Sequence, residues 1–434
     1  MNIIDIIEKK KRKIELSSEE LEFFSKGTIE GSIKDYQISA FLMAIYFNGL
    51  TNNELYTLTD LIANSGEKIT FNKKDKKIID KHSTGGVGDK TSLIALPLAS
   101  SLGLTISKLS GKGLGHTGGT IDKLESIPGF RTDYSLKELE EISEKNGISL
   151  GQGRKNIAYL DKILYSIRDV TGTVDSIPLI ASSIMGKKLA IDSDGIVLDV
   201  KCGSGAFMKT FDRAKNLAET MVKIGKNHGR NTVAIISNMD QPLGSYIGNF
   251  LEVIEAYKIF CGEGDKDLRD LSISLSSYMI KLAGNNLESY EEIYKRCEDN
   301  LENGKALEKF KSFIAEEGGD FSYIESYEEY MKDEKFLDII IEEDAYISSI
   351  DTEEIGKTAL LLGAGRYSVT DVIDYKAGII MYKKIGDKLD KKDRIARLYS
   401  SSDEKLLEAK DRFLKAIKFG NDINKKDIIM DVIE

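Results

Sequence analysis

The feature that most narrows the choice of fold is a pair of glycine-rich turns, each set behind a short β-like run. In KKIIDKHSTGGVGDKTS and again in LTISKLSGKGLGHTGG, an apolar run of strand length ends on lysine, serine and glycine, and a helical pattern follows. GIVLDVKCGSGAF repeats the arrangement, and TVAIISNM near 232–239 reads as a further strand. Residues 81–119 hold nine glycines in 39 positions, against 38 in the 434 residues of the whole chain. Strands alternating with helical segments such as 206–225 predict an α/β domain, a central sheet with helices on its faces. Ligands of such sheets gather at the carboxyl ends of the strands, which is where these glycines stand. Without a Cβ, consecutive glycine amides can approach and point at one anion.

Three phosphate-binding templates compete for these turns. The G-x-x-x-x-G-K-[ST] pattern is approached at 85–91, but Asp89 stands before Lys90 where a glycine is needed, and its carboxylate would oppose a nucleotide phosphate. G-x-G-x-x-G is met at Gly113, Gly115 and Gly118. That fingerprint should open the first strand–helix unit, yet a loop of the same kind precedes it at 85–88. Two adjacent strand-end loops holding one small oxyanion, such as orthophosphate, fit better. Lys81, Ser83, Ser92, Lys108, Ser110 and Thr120 place ammonium and hydroxyl donors beside the glycine amides, the groups that bind phosphate oxygens through charge-assisted hydrogen bonds. Each serine or threonine taken singly reads better as a cap or turn residue. Six donors in two matched loops favour the anion.

The first 65 residues read as helices. Ser17-x-x-Glu20 and Thr51-x-x-Glu54 are capping boxes, and Ile38, Phe41, Leu42, Ile45 and Tyr46 recur at helical spacing. The basic run at 9–12, flanked by Glu8 and Glu15, reads as a solvated helix face. Residues 290–345, rich in Glu and Lys, read as surface helices, and the pattern after Gly363 predicts a small β-containing lobe. The 61 Lys and Arg against 71 Asp and Glu leave a net charge of −10, which argues against a large nucleic-acid or anionic-membrane face. Three scattered cysteines supply neither a disulfide framework nor a zinc site and fit a reduced, cytoplasmic setting. No signal peptide or membrane-spanning run is recognisable.

KHSTGGVGDKTS followed by SGKGLGHTGGTIDKLESIPGF resembles the signature of the thymidine and pyrimidine-nucleoside phosphorylases. RDVTGTVDSIPLIASSIMGKK, VKCGSGAFMKT, QPLGSYIGNFLEVIEA and LLGAGR extend the resemblance along nearly the whole chain. It implies a small all-α domain from residues 1–66 and 163–193, a large α/β domain from 67–162 and 194–344, and an α+β lobe at 345–434. It also implies a homodimer whose cleft closes between the first two domains. The implied reaction is phosphorolysis of pyrimidine nucleosides (uridine, thymidine, deoxyuridine) to free base and (deoxy)ribose 1-phosphate, a salvage step with no organic cofactor. The resemblance places phosphate on the same six residues, Lys81, Ser83, Ser92, Lys108, Ser110 and Thr120, and the base on Tyr165, Arg168, Ser183 and Lys187. Read from the residues alone, Arg168 and Lys187 fit surface salt bridges with Asp169 or Asp175 better than a base site. His82, inside the first loop, is placed to give the leaving base a proton or to stabilise its O2 oxygen. With Arg168 and Lys187 it makes up the expected catalytic set, whereas His116 reads as structural and His228 as a surface residue.

Some members of that family bind potassium through positions that fall here on Gly88, Lys90, Leu243, Tyr246 and Glu255. Tyr246 stands where the family usually has Ala, and Lys90 where some members have Thr. An ammonium at that position would take the place of the ion. Lys112 replaces the family's Arg, which loses a bidentate fork, and the 151–162 segment departs from the family's Pro-containing pattern beside the base-side hinge. Lys108, where thymidine-restricted members commonly carry Met, implies that both uridine and thymidine are used. Two other functions compete: a phosphoribosyltransferase of the anthranilate type, which needs acidic pairs for magnesium diphosphate that KCGSGAF lacks, and a nucleoside-binding protein without catalysis.

Overall fold

The computed structural model describes residues 1–70, 77–113, 118–152, 156–284, 288–368 and 370–434. The chain opens with four helices, α1 (Ile3–Lys11), α2 (Ser18–Ile29), α3 (Asp35–Asn48) and α4 (Asn52–Ala63). Both capping boxes form: the Ser17 and Thr51 hydroxyls accept from the amides of Glu20 and Glu54, whose carboxylates accept from the cap amides in return. Phe24, Ile38, Phe41, Leu42 and Ile45 bury their side chains together. The basic run is not wholly solvated. Lys10 is buried, and its ammonium reaches both Glu54 oxygens at 2.8 and 2.7 Å. Glu54 thus serves as capping residue and buried counter-ion at once, a pairing 44 residues apart that local charge patterning does not reveal.

The α/β domain follows: β1 (Ile79–Ser83), α5 (Thr91–Ser101), β2 (Ile106–Ser110), α6 (Thr120–Glu125), α7 (Leu136–Asn146) and β3 (Ile148–Gln152). Helices α8 (Tyr159–Thr171) and α9 (Ile177–Leu189) come next, then β4 (Gly195–Cys202), α10 (Phe211–Asn227), β5 (Asn231–Asn238), α11 (Asn249–Phe260) and α12 (Lys266–Leu282). β1, β4 and β5 lie side by side in parallel, β2 pairs parallel with β3, and a parallel bridge between Ile78 and Thr105 joins the two groups. Their carboxyl ends, at Ser83, Ser110, Gln152 and Cys202, therefore share one edge. β4 is buried at every position, as expected for a parallel strand covered on both faces.

Helices α8 and α9 return to the helical lobe, where Ile157, Leu160, Leu164, Ile167 and Leu179 share a core with α1–α4. That core takes up the chain at Ile157, ahead of residue 163, because the apolar positions of α8 begin in its first turn. On its other side α9 packs Ile180, Ala181 and Met185 against β4, β5 and α10. One helix is thereby wedged between two lobes.

The C-terminal lobe is built on strands Phe336–Ile340, Gly378–Met381 and Arg394–Tyr399, joined by Tyr246–Gly248 from the α/β domain. The first of these strands lies within the stretch expected to be surface helices, which are found at Tyr290–Glu302 and Lys305–Glu316. The chain end also departs from expectation. Ile429–Ile433 leaves the lobe and pairs antiparallel with β5, covering backbone groups that an edge strand would leave unpaired. Among the described residues no helix is long and apolar enough to cross a membrane.

Candidate active site

Two cavities, of about 450 and 840 Å³, open between the carboxyl edge of the sheet and the helices α8 and α9. They share His82, Ser83, Gly85, Ile184 and Lys187, so they form one bipartite cleft. The first is walled by the two glycine loops and includes Ser83, Asp89, Ser92, Lys108, Ser110 and Thr120. Tyr165, Arg168 and Ser183 line the second, faced by Phe207 and Arg213.

Five of the six residues expected at phosphate meet in the first cavity; Lys81 does not. It is fully buried behind the wall, where its ammonium donates to Thr91 Oγ1 at 2.7 Å and to Ser92 Oγ at 3.3 Å. Its side chain reaches the cavity only by way of Ser92. The hydroxyls of Thr91 and Ser92, at the start of α5, stand between that ammonium and the cavity.

Lys108 is 3% exposed and donates to the Lys81 carbonyl at 2.5 Å. Among the described residues no carboxylate lies within ion-pair distance of it. Burial, and then the adjacent Lys188 ammonium, push its pKa well below the ordinary lysine value. Lys188 itself is paired with Asp80 at 2.9 Å. Asp89 is different again. Burial alone would raise its pKa, but the charges of Lys201, Lys81 and Lys123 outweigh that and hold it well below the carboxylate range. Its oxygens accept from the hydroxyls of Ser83 and Thr91, so the carboxylate that spoiled the nucleotide template is turned into the loop and neutralised there.

His82 is half-buried at the junction of the two cavities. Burial, then the ammonium groups of Lys188, Lys108 and Lys187, lower its pKa well below 6.5. At pH 7 it is a neutral imidazole. That removes an imidazolium general acid from the free protein and leaves a ring N–H able to hold an oxygen.

On the helical side, Tyr165 and Arg168 of α8 face Ser183, Ile184 and Lys187 of α9 at helical spacing. Lys187 is 48% exposed at its side chain and pairs with Asp161 of α8 at 2.7 Å. Arg168 forms neither of the surface salt bridges weighed from sequence. It is 2% exposed, and its guanidinium donates to the carbonyls of Thr173, Leu179 and Val174 at 3.2, 3.0 and 2.7 Å. It pins the end of α8 to the start of α9 and still has N–H groups left over, since guanidinium carries five.

The second glycine loop is braced from the C-terminal lobe. Arg366 of LLGAGR donates to Asp122 at 2.8 Å, and the other Asp122 oxygen accepts from the Gly113 amide at 2.6 Å. Lys112 pairs with Glu125 at 2.7 Å and lines neither cavity. Gly115 and His116, and positions 153–155 of the divergent 151–162 segment, lie outside the described residues. His228 is half-buried rather than a free surface residue: it bonds the Ile224 carbonyl and meets the Tyr56 ring edge-on.

With this geometry in place, the likeness to known proteins is decisive. Residues 75–307 match the model of the glycosyl transferase family a/b domain, 4–66 its helical bundle domain, and 346–430 the pyrimidine nucleoside phosphorylase C-terminal domain. Pyrimidine-nucleoside phosphorylases of Staphylococcus epidermidis and Bacillus subtilis are each 47% identical to the chain, over 93% and 92% of both partners. That of Geobacillus stearothermophilus is 45% identical over 93% of both. The chain belongs to the pyrimidine-nucleoside phosphorylase family. An anthranilate phosphoribosyltransferase from Thermus thermophilus shares the fold, with a TM-score of 0.57 at 15% identity over 72% of this chain and 98% of that one.

The positions at which potassium was expected do come together. Leu243, Tyr246 and Glu255 converge beside Gly88, and what they converge on is the Lys90 ammonium. The nitrogen takes the place a cation would need, so the residues present do not fit the ion.

Lys188, Asp161 and Gln152 were not singled out from sequence, yet Lys188 and Gln152 line the first cavity and Asp161 holds Lys187. The paired lysines in the last turn of α9 were the available signal for Lys188.

Proposed function

We propose that this chain cleaves pyrimidine nucleosides with orthophosphate, releasing the free base and a pentose 1-phosphate. The observation that carries the reading is Lys108: a buried ammonium, in no ion pair among the described residues, that faces a cavity lined largely by hydroxyls and glycines. Such a charge asks for an anion from solution. The name borne by the relatives supplies the reaction in which that anion is phosphate.

Phosphate held by Lys108, Ser92, Ser110 and Thr120 puts one oxygen toward the shared boundary of the cavities, where the sugar would lie. That oxygen bonds to the anomeric carbon as the bond to the base nitrogen breaks, and the bonding pair leaves on the base. The negative charge spreads to the base carbonyl oxygens. Lys187 and the unused N–H groups of Arg168 neutralise it on one side, and the His82 N–H holds an oxygen at the junction. Fixed donors aimed at developing charge supply much of such a barrier reduction. Tyr165 and Ser183 complete the base side. The reading includes both uridine and thymidine as substrates, a cytoplasmic salvage role, and a homodimer, for which the exposed Ile4, Tyr36, Phe47 and Val170 of the helical lobe offer apolar surface.

The test is release of uracil and thymine from uridine, deoxyuridine and thymidine, with and without phosphate. Phosphate-dependent release from both ribose and deoxyribose substrates is expected. Release from thymidine alone overturns the broad specificity, and no release from any substrate overturns the function. The phosphoribosyltransferase alternative would instead show magnesium-dependent use of phosphoribosyl diphosphate.

A further inference from the structure

Lys90 is an unusual lysine. Its ammonium is fully buried and donates to the carbonyls of Leu243 and Tyr246 at 2.9 and 2.7 Å and to the Glu255 carboxylate. Two backbone carbonyls and one carboxylate converging on a point form the oxygen set that alkali cations take. Glu255 is in turn held by the amides of Ser245 and Tyr246, at 2.6 and 3.0 Å. The socket also has no slack. A side chain on Gly244 would strike the Glu255 carboxylate, and one on Gly88 would meet the Leu243 carbonyl at 2.6 Å.

The position of this socket matters as much as its chemistry. Lys90 is the cap residue from which α5 starts, and it directly follows Asp89, which lines the anion cavity and holds Ser83. One helical turn away on α11, Glu252 pairs with Lys123 at 2.9 Å, and Lys123 donates to the Asp89 carbonyl at 2.6 Å. Two buried lysine–glutamate pairs therefore tie the first glycine loop to α11, one through Lys90 itself and one through the Asp89 carbonyl.

We propose that the Lys90 ammonium is a covalently tethered monovalent cation that makes the phosphate loop independent of potassium. A dissolved ion stabilises a site only as far as its concentration exceeds its dissociation constant. A tethered ammonium is present at every salt composition. Lys90 acts here as a positioning residue, through Asp89 and Ser83, and touches no substrate.

The test compares melting temperature and kcat/KM for phosphate in KCl, NaCl and choline chloride at equal ionic strength. Both quantities are expected to be the same for the wild-type chain in all three salts. A wild-type melting point or activity that rises in K⁺ over Na⁺ and choline overturns the proposal, whatever the variants do. The melting arm is independent of substrate, so it stands even if the phosphorolysis reading fails. Lys90→Thr should lose on the order of 5–10 °C in choline, because Glu255 is left buried and unpaired, and should recover at least half of that in K⁺. Lys90→Met should lose stability without recovering it in any of the salts. If Lys90→Thr melts alike in all three salts, the socket is no cation site and the proposal falls; if neither variant folds, the wild-type comparison decides.

Discussion

The two walls of the cleft carry their charges in different ways. On the sheet side, Lys108 is buried within β2, held by a carbonyl, and is in no ion pair among the described residues. On the helical side, Lys187 is half exposed at the end of α9 and already paired with Asp161. The sheet wall is thus a site preformed for an anion and incomplete without one. The helical wall is complete as it stands and must exchange one partner for another when a base arrives. Rigid strand ends suit the first task, and a helix wedged between two lobes suits the second, since small movements of α9 change how far Lys187 reaches.

The largest effect should follow from breaking the sheet wall. Lys108→Met removes the uncompensated charge and keeps the volume. We expect kcat/KM for phosphate to fall by about 10²–10³, the scale of losing one preorganised donor at developing charge. The melting temperature should hold or rise, because replacing an unpaired buried cation with an apolar side chain relieves its desolvation. Steady-state kinetics and calorimetry on the same preparation check both halves. A variant that melts well below wild type and keeps its activity would make Lys108 structural and erase the contrast.

The helical wall should respond with a smaller loss of activity and a small cost in stability. Lys187→Gln keeps a donor for Asp161 and removes the charge. The pair joins a half-exposed lysine to a buried Asp161, and Gln keeps one hydrogen bond to that carboxylate, so melting should fall by only a few degrees, on the order of 2–4 °C. A loss of about 10² in kcat with nucleoside is expected if the ammonium meets the departing base. Unchanged kcat with a raised KM would confine Lys187 to binding, and an unchanged rate would leave it outside the reaction.

Much of the sheet wall was legible in the sequence because it is local. Ser83, Lys108 and Ser110 sit on or at the ends of strands whose β-like runs and following glycines are contiguous in the chain, and the two capping boxes each need only four residues. What was not legible depends on contacts between distant segments. The Lys10–Glu54 and Lys187–Asp161 pairs link residues 44 and 26 apart, whereas the Lys90 socket, 165 residues from Glu255, was reached only through the family resemblance. The return of Ile429–Ile433 to β5 is set by an open sheet edge, and nothing in IMDVI announces it. Lys81 stands behind the wall because Thr91 and Ser92, ten and eleven residues on, take up its ammonium, a contact that residue type and local spacing do not show. Arg168 shows a further limit, because its three bonds are to backbone carbonyls, which carry no side-chain signature.

His82 stands where the walls meet, and its expected effect is the smallest and sharpens the comparison most. Burial and three flanking lysines keep its pKa below 6.5, so the folded chain prefers the neutral ring. The stability that follows from this is fully present above about pH 6.5 and is lost as pH falls toward the lowered folded value. His82→Asn, which retains an N–H donor, should therefore melt with a shallower decline between pH 7 and pH 5 than wild type. If His82 works as a neutral hydrogen-bond donor, the same variant should lose about tenfold in kcat, and His82→Leu should lose more. The wild-type kcat/KM should also show no limb from this residue between pH 6 and 8. If His82 were instead the acid that protonates the base, Asn and Leu would be equally damaging, each by about 10²–10⁴. The ratio of the two variants therefore separates a sheet wall that only holds oxygens from one that also delivers a proton.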